Sequence, residues 1–409
     1  MNSRKKWIRA YVIGFIVYAA AIGIYLWVDA VQPLPAADRG TAVDPSVFLP
    51  AEQYNEMRMY SALKNWLFFI SYPWIWGVYL FLLIGGTASR WSARYKLPAF
   101  VMLLLAVVFA CRLPISLLSF GLSRYYGVSV QSIGGWVRDA AVDFAIDCII
   151  TLAVLWTALW VIGRVKRWWL ALWLLSVPFT VFLMYIQPVV IDPLFNRYSE
   201  LSGPHLEEQI LKLADRAGIP AERVYEVNIS EKTNSLNAYV TGIGPTLRIV
   251  LWDTTLRALN EREILFIMAH EIGHYAMHHL EWSALGAVGS SFILLFIGGK
   301  LYQAIVGRYG VAIGIRRLND KASLPLLLLL VSVLSFASAP VSNAVSRSAE
   351  HAADVYALEM IGSGEGAVGM YQKLAASSLS DIDPPALVTW FRSTHPSIKE
   401  RILYVEQFR

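Results

Sequence analysis

Apolar residues along this 409-residue chain collect into seven long runs, at approximately 7–28, 66–84, 98–120, 140–161, 170–190, 284–301 and 324–341. A helix needs roughly 20 residues to cross a hydrocarbon core, so each run predicts a membrane-spanning helix. The first is preceded by Arg4, Lys5, Lys6 and Arg9 and followed by Ala36 and Ala37, a weak cleavage pair. Its apolar stretch is longer than the core of a signal peptide, which reads as an uncleaved anchor.

Between the fifth and sixth runs the texture changes. Ser202 is placed to cap a helix whose apolar positions Leu206, Ile210, Leu211, Leu213 and Ala214 recur at helical spacing, and Gly218 and Pro220 end it. Three β-rich runs follow at 223–229, 236–240 and 247–251, the last two joined by a turn at Gly242, Gly244 and Pro245. A helical pattern resumes after Leu256 and continues to Leu280. The predicted organisation is five membrane helices in residues 1–191, a water-facing α/β unit at 192–282, two further membrane helices at 283–342, and a mostly helical unit at 343–409. The fold class is an all-α membrane protein carrying a small α/β unit.

Composition supports this division, since 56% of the residues are hydrophobic and 16% charged. Trp7, Tyr25, Trp27, Trp66, Trp136, Trp160, Trp168 and Trp169 sit at the ends of apolar runs, where aromatic side chains mark the bilayer interface. The net charge of +5 resides mainly in short loops between apolar runs, so it reports orientation in a lipid bilayer and not nucleic-acid binding. Cys111 and Cys148 lie in apolar stretches without metal-ligand spacing and read as packing residues.

The candidate chemistry is concentrated at His270-Glu271-Ile272-Gly273-His274, an H-E-x-x-H pattern in a predicted helix. Four-residue spacing puts both imidazoles on one face, one turn apart, where they can share a tetrahedral zinc ion. Glu271 stands beside the metal as general base, able to take a proton from an activated water. A catalytic zinc takes three protein ligands, and Glu350 is the best third candidate: the out-and-back sixth and seventh spans return the chain to the side of His274. Asp354, one turn beyond Glu350, is placed to hydrogen-bond a ligand imidazole. The competing reading pairs Glu350 and Asp354 with Arg347. His278 and His279 are read as non-ligands.

These residues belong to a wider resemblance. The chain resembles the integral-membrane type I CAAX prenyl protease family, zinc peptidases of the gluzincin group, over most of its length. The matching stretches are Tyr126-Gly127-Val128, Asp192-Pro193-Leu194-Phe195-Asn196, Asn237-Ala238-Tyr239, the run from Arg248 to Thr254, Glu350 to Asp354, and Thr394-His395-Pro396. The resemblance implies Glu350 as third ligand, a proton-donor role for Asp354, and a hydrogen bond from His395 to the oxyanion of the tetrahedral intermediate. From sequence alone His395 is also a surface histidine before a C-terminal helix. The resemblance further implies a seven-helix barrel around a water-filled chamber and a prenylated C-terminal peptide as substrate.

Other expectations come from the residues themselves. Asp139, Asp143 and Asp147 form one stripe of the fourth span and Arg112 lies within the third. Ionisable groups in such spans face a bundle interior or water; buried ion pairs are the alternative. An extended peptide substrate can add as a strand beside 236–240, or beside the run ending at Leu251, with Asn237 as a polar contact. A quality-control protease of the HtpX group is the enzymatic alternative, and a seven-span transporter or receptor the non-enzymatic one. The basic loops place the N-terminus in the cytoplasm of a cell-membrane protein.

Overall fold

The computed structural model describes residues 2–242 and 247–408. Gly244 and Pro245 lie outside these, while Gly242 adopts a left-handed φ of +88° after the strand it ends. The first half of the chain is helical: α1 (Asn2–Val31), α2 (Pro45–Phe48), α3 (Ala51–Ile84), α4 (Thr87–Arg94), α5 (Leu97–Tyr125), α6 (Ile133–Arg164), α7 (Trp168–Ile186) and α8 (Asp192–Phe195). The second half carries β1 (Tyr198–Glu200), α9 (Pro204–Arg216), β2 (Val224–Val227), β3 (Ala238–Thr241), β4 (Arg248–Trp252), α10 (Asp253–Ala258) and α11 (Glu261–Ala276). It ends with α12 (His279–Tyr309), α13 (Leu324–Ile361), α14 (Ala367–Ser378), α15 (Ala386–Phe391) and α16 (Ile398–Gln407).

Seven of these segments, built on α1, α3, α5, α6, α7, α12 and α13, are long and apolar enough to cross a membrane. Several extend past their apolar runs because the protruding turns find protein to pack on. The polar start of α3 places Met57 and Tyr60 against Ala375, Leu379 and Ile382. Helix α1 is part of the bundle: the Trp66 indole donates to the Ala19 carbonyl at 2.9 Å, and Tyr11 hydrogen-bonds the Pro73 carbonyl. Near its end α7 passes into a π-helical turn, Gln187–Ile191, at Pro188, whose ring cannot donate to an α-helical ladder. Both cysteines are free, and Cys148 is buried among Leu104, Leu105 and Leu155.

Helix α13 runs unbroken from the last span into the polar region, 38 residues or roughly 57 Å at 1.5 Å per residue. A buried core joins its far end to the small sheet: Ile210 and Leu213 of α9, Ile249 and Leu251 of β4, Phe266 and Ile272 of α11, Ala357 of α13, Tyr371 of α14 and Ile402 of α16. The two polar stretches on either side of spans six and seven therefore share one interior. The sheet has the order β1-β2-β4-β3, with β2 and β4 parallel and the other pairs antiparallel.

Two expectations need correction. Ser202 does not cap α9: Gly203 occupies that position without a side-chain cap, because Pro204 at the first turn sets the helix start one residue later. The helical pattern from 256 to 280 is interrupted, since His278 adopts φ 58° and separates α11 from α12. The Asp stripe follows its expectation in part: Asp143 and Asp147 are exposed, while Asp139 is ion-paired with Lys232 at 2.6 Å.

Candidate metal centre

Helix α11 starts on a capping box in which Asn260 accepts from the Glu263 amide and Glu263 accepts from the Asn260 amide. Glu263 is itself buried and receives Lys373 at 2.7 Å, so the first turn is fixed at both its backbone and its side chains. Phe266, Met268, Ala269 and Ile272 bury one side of the helix. Its other side crosses α13 closely at Gly273, where an added Cβ would stand 2.9 Å from the Tyr356 ring.

This crossing brings the sequence candidates together. His270 Nε2 lies 3.2 Å and His274 Nε2 3.4 Å from the two Glu350 carboxylate oxygens, and the two Nε2 atoms are 3.2 Å apart. The donor atoms of His270, His274 and Glu350 all fall within 4.8 Å of one another, a set able to hold a metal ion. Glu350 Oε2 is buried and makes no hydrogen bond, though imidazole nitrogens stand near it. A carboxylate so placed, with one imidazole nitrogen at each of its oxygens, has the donor chemistry that a divalent cation satisfies. Arg347 does not compete, as it donates to the Thr389 and Ser393 carbonyls at 2.7 and 2.9 Å.

Behind the ligands stands a buried polar chain. His270 Nδ1 is 2.8 Å from Asp354 Oδ1, which also accepts from the Tyr371 hydroxyl at 2.8 Å. Arg401 completes the group, with Nη2 and Nε at 2.6 and 2.9 Å from the two Asp354 oxygens. Burial alone would lower the Arg401 pKa, but the Asp354 carboxylate opposes it and the value is raised. Burial raises that of Tyr371, whose proton stays on to donate. Such an arrangement fixes the His270 tautomer and directs Nε2 toward the ligand cluster. Neither Arg401 nor Tyr371 carries a sequence signal, being joined to Asp354 only by the fold.

Glu271 lies beside the ligands without joining them. Burial raises its pKa, with His270 and His274 opposing the rise. His395, on the loop after α15, brings Nε2 to 3.3 Å from Glu350, and desolvation lowers its pKa, favouring the neutral ring. Its Nδ1 is 2.9 Å from Thr394 Oγ1, which leaves Nε2 as the proton-bearing nitrogen facing the site when the hydroxyl donates. His279, set aside in the sequence as a non-ligand, touches the cluster: its Nδ1 lies 2.9 Å from His274 Nδ1. Asn237 stands at the entrance to β3 and uses its side-chain oxygen to accept from the Ala238 amide at 3.0 Å, while its backbone is clasped by Thr255. Strand β3 is an edge strand, but β4 is central, so the run ending at Leu251 has no free edge to offer.

The fold and this cluster together define a class, the multi-pass membrane metallopeptidases. Residues 200–408 match the model of peptidase family M48, and residues 48–197 match that of the CAAX prenyl protease N-terminal region, five membrane helices. The chain is 43% identical to an uncharacterized metalloprotease, YhfN, of Bacillus subtilis, over 98% of this chain and 97% of that one. It is 26% identical to CAAX prenyl protease 1 of Saccharomyces cerevisiae, covering 83% of this chain and 80% of the yeast protein. The crystal structure of S. mikatae Ste24p superposes with a TM-score of 0.82 at 21% identity, covering 98% and 99% of the two chains, and shares the fold. The chain belongs to peptidase family M48, and its reaction is the metal-dependent hydrolysis of peptide bonds.

Proposed function

We propose that this protein is a zinc endopeptidase of the cell membrane, in which His270, His274 and Glu350 hold one ion and Glu271 is the general base. The observation that carries this reading is the convergence of two imidazole nitrogens on the two oxygens of the buried Glu350 carboxylate, one of which has no hydrogen bond, with the Glu271 carboxyl alongside. Zinc bound there supplies Lewis acidity for the scissile carbonyl and a nucleophile at neutral pH. Glu271 takes the proton from the attacking water and passes it to the leaving amine, a task suited by a carboxyl whose pKa burial has raised. His395 donates from Nε2 to the developing oxyanion. Asp354 orients His270; its acceptor positions are already filled by His270, Tyr371 and Arg401, which argues against a proton-donor role.

The substrate is a peptide or protein that adds as a strand along the free edge of β3, with Asn237 shaping the start of that edge. The names of the CAAX prenyl protease relatives support a prenylated C-terminal peptide as one substrate, with the surrounding lipid bilayer able to hold its prenyl chain. A general quality-control protease of the HtpX kind is disfavoured by the match of residues 48–197 to the CAAX protease N-terminal helices. The basic loops place the N-terminus in the cytoplasm. The deciding experiment measures zinc content and compares cleavage of one peptide, prenylated and unprenylated, by the wild type and Glu271→Gln. Prenyl-dependent cleavage lost in the zinc-loaded variant supports the full reading; equal cleavage of both peptides removes the prenyl specificity.

A further inference from the structure

A cavity of about 520 Å³ opens among α3, α5, α13 and the loop after α15. Three of its lining residues are cations, Lys64, Arg112 and Arg392, and none is a carboxylate. The polar remainder consists of hydroxyls, including those of Ser71, Ser116, Ser119 and Ser332, and the walls carry Phe68 and Trp74. Two of the cations stand on membrane-crossing helices, where ionisable groups are costly and mark a ligand path.

None of the three cations has a carboxylate partner among the described residues. Lys64 donates to the Ser119 carbonyl at 3.3 Å and to Ser123 Oγ at 3.2 Å. Arg392 donates to the side-chain oxygen of Asn65 and lies 5.4 Å from the Phe68 ring. Arg392 remains exposed to the cavity, and desolvation lowers its pKa. Asp147 shares the surroundings of Tyr79 with Arg112, but forms no ion pair with it and accepts from Thr151 instead. Three cations sharing a space without an anion repel one another, and an anionic ligand relieves that repulsion.

The position of Arg392 says which anion. It is three residues from His395, whose Nε2 is 3.3 Å from Glu350, and the intervening loop is pinned to the ligand-bearing helix by Arg347 at Thr389 and Ser393. Three residues of chain and an arginine side chain put the cavity's guanidinium on the order of 10–20 Å from the metal cluster. An extended peptide crosses that distance in roughly three to six residues. We infer that this cavity is a substrate subsite that binds a carboxylate of the peptide, three to six residues from the scissile bond, through Arg392 and Lys64, with Arg112 lining its deeper end.

The inference rests on the peptidase reading, and its test separates the two. The carboxylate has two sources, the end of the substrate chain and an acidic side chain. Full-length, zinc-loaded protein in detergent is given one quenched peptide in three forms: free acid, C-terminal amide, and amide with a glutamate four residues past the cleaved bond. We expect the free acid, the glutamate peptide, or both to exceed the plain amide by at least about tenfold in kcat/KM, the scale of a charge-assisted hydrogen bond. Lys64→Met and Arg392→Gln remove that preference while leaving cleavage of the plain amide unchanged, and Arg392→Lys restores part of it. The free acid alone responding identifies the chain end; the glutamate peptide alone identifies a side chain. Equal rates for all three forms in the wild type overturn the inference while leaving the peptidase reading intact, as does a variant that loses all substrates equally with its zinc retained. Should the wild type cleave none of them, binding of free acid against amide to zinc-loaded Glu271→Gln decides the subsite: equal affinities overturn it.

Discussion

At the scale of single residues, the local motif and its distant supports behave differently. Glu271 lies beside the proposed ligands His270, His274 and Glu350 without being one of them, so Glu271→Gln is expected to retain metal while losing at least about a hundredfold in turnover, the scale of a general base. Elemental analysis alongside a cleavage assay checks both halves. Arg401 has the opposite profile: it supports His270 from behind through Asp354, and its removal leaves Asp354 buried without its cation. Arg401→Met is expected to destabilise the protein by about 3–5 kcal/mol, as for one half of a buried ion pair, and to weaken metal binding by freeing His270. Thermal unfolding and metal titration test this together. The H-E-x-x-H motif was legible because four-residue spacing encodes a shared helical face. Glu350 followed from the count of spans between the two segments. Arg401 and Tyr371 were not legible: each meets Asp354 only because α14 and α16 fold back on α13, and no periodicity links residues so far apart in the chain.

The elements show how little space the crossing of α11 and α13 leaves. Gly273→Ala would set a Cβ 2.9 Å from Tyr356 Cδ1 and 3.2 Å from Tyr356 Cβ; the second contact is next to the main chain and cannot swing away. The helices must separate, at a cost of about 1–3 kcal/mol for overpacking, and Glu350 moves with α13. A lowered melting temperature with weakened metal affinity is the expected result, and unchanged affinity would show that the crossing tolerates more than its geometry suggests. The sheet is held at another point by Asp253, buried and accepting from the Ile229 and Ser230 amides at 3.0 and 2.9 Å. Burial would raise its pKa, but the hydrogen bonds from Ser230 and Ile229 and the charge of Arg257 outweigh this and lower it. Its stabilising contribution is therefore present above the ordinary value of 3.8 and is lost as pH falls through the lowered one. Asp253→Asn should remove about 1.5–3 kcal/mol at neutral pH, with the difference from wild type shrinking in acid, as unfolding curves across pH will record. Strand β1 was missed because three residues carry no period to read, and the extra length of α3 because its first turns are polar and bury themselves only against the C-terminal helices.

For the molecule as a whole, the question is which way it faces, and two separate sets of contacts define its sides. The loop after α1 meets the C-terminal unit where Lys399 pairs with Asp38 at 2.7 Å and Gln372 donates to the Ala42 carbonyl at 2.8 Å. The metal cluster and the sheet are on this side. On the opposite side the loops after α4, α6 and α12 meet one another: Lys321 donates to the Tyr95 carbonyl at 2.7 Å, and Gly163 closes against Asn319. That second side carries Arg90, Arg94, Lys96, Arg164, Lys166, Arg167, Arg308, Arg316, Arg317 and Lys321, with Asp320 as the one acid in those loops, and the N-terminal Lys5, Lys6 and Arg9 belong to it. Most of these side chains are exposed and free to sit among headgroups. The first loop on the metal side instead holds Asp29, Asp38, Asp44, Glu52 and Glu56 against Arg39, Arg58 and Lys64. Basic residues close to membrane spans stay in the cytoplasm, so the N-terminus is expected there and the metal centre on the other face. The test uses a protein without Cys111 and Cys148 and with one cysteine added at the C-terminus, probed in intact cells with a membrane-impermeant thiol label. Labelling before lysis is the expected outcome. Protection in intact cells followed by labelling after lysis would put the metal centre in the cytoplasm and show that packing in the bundle, and not loop charge, sets the orientation.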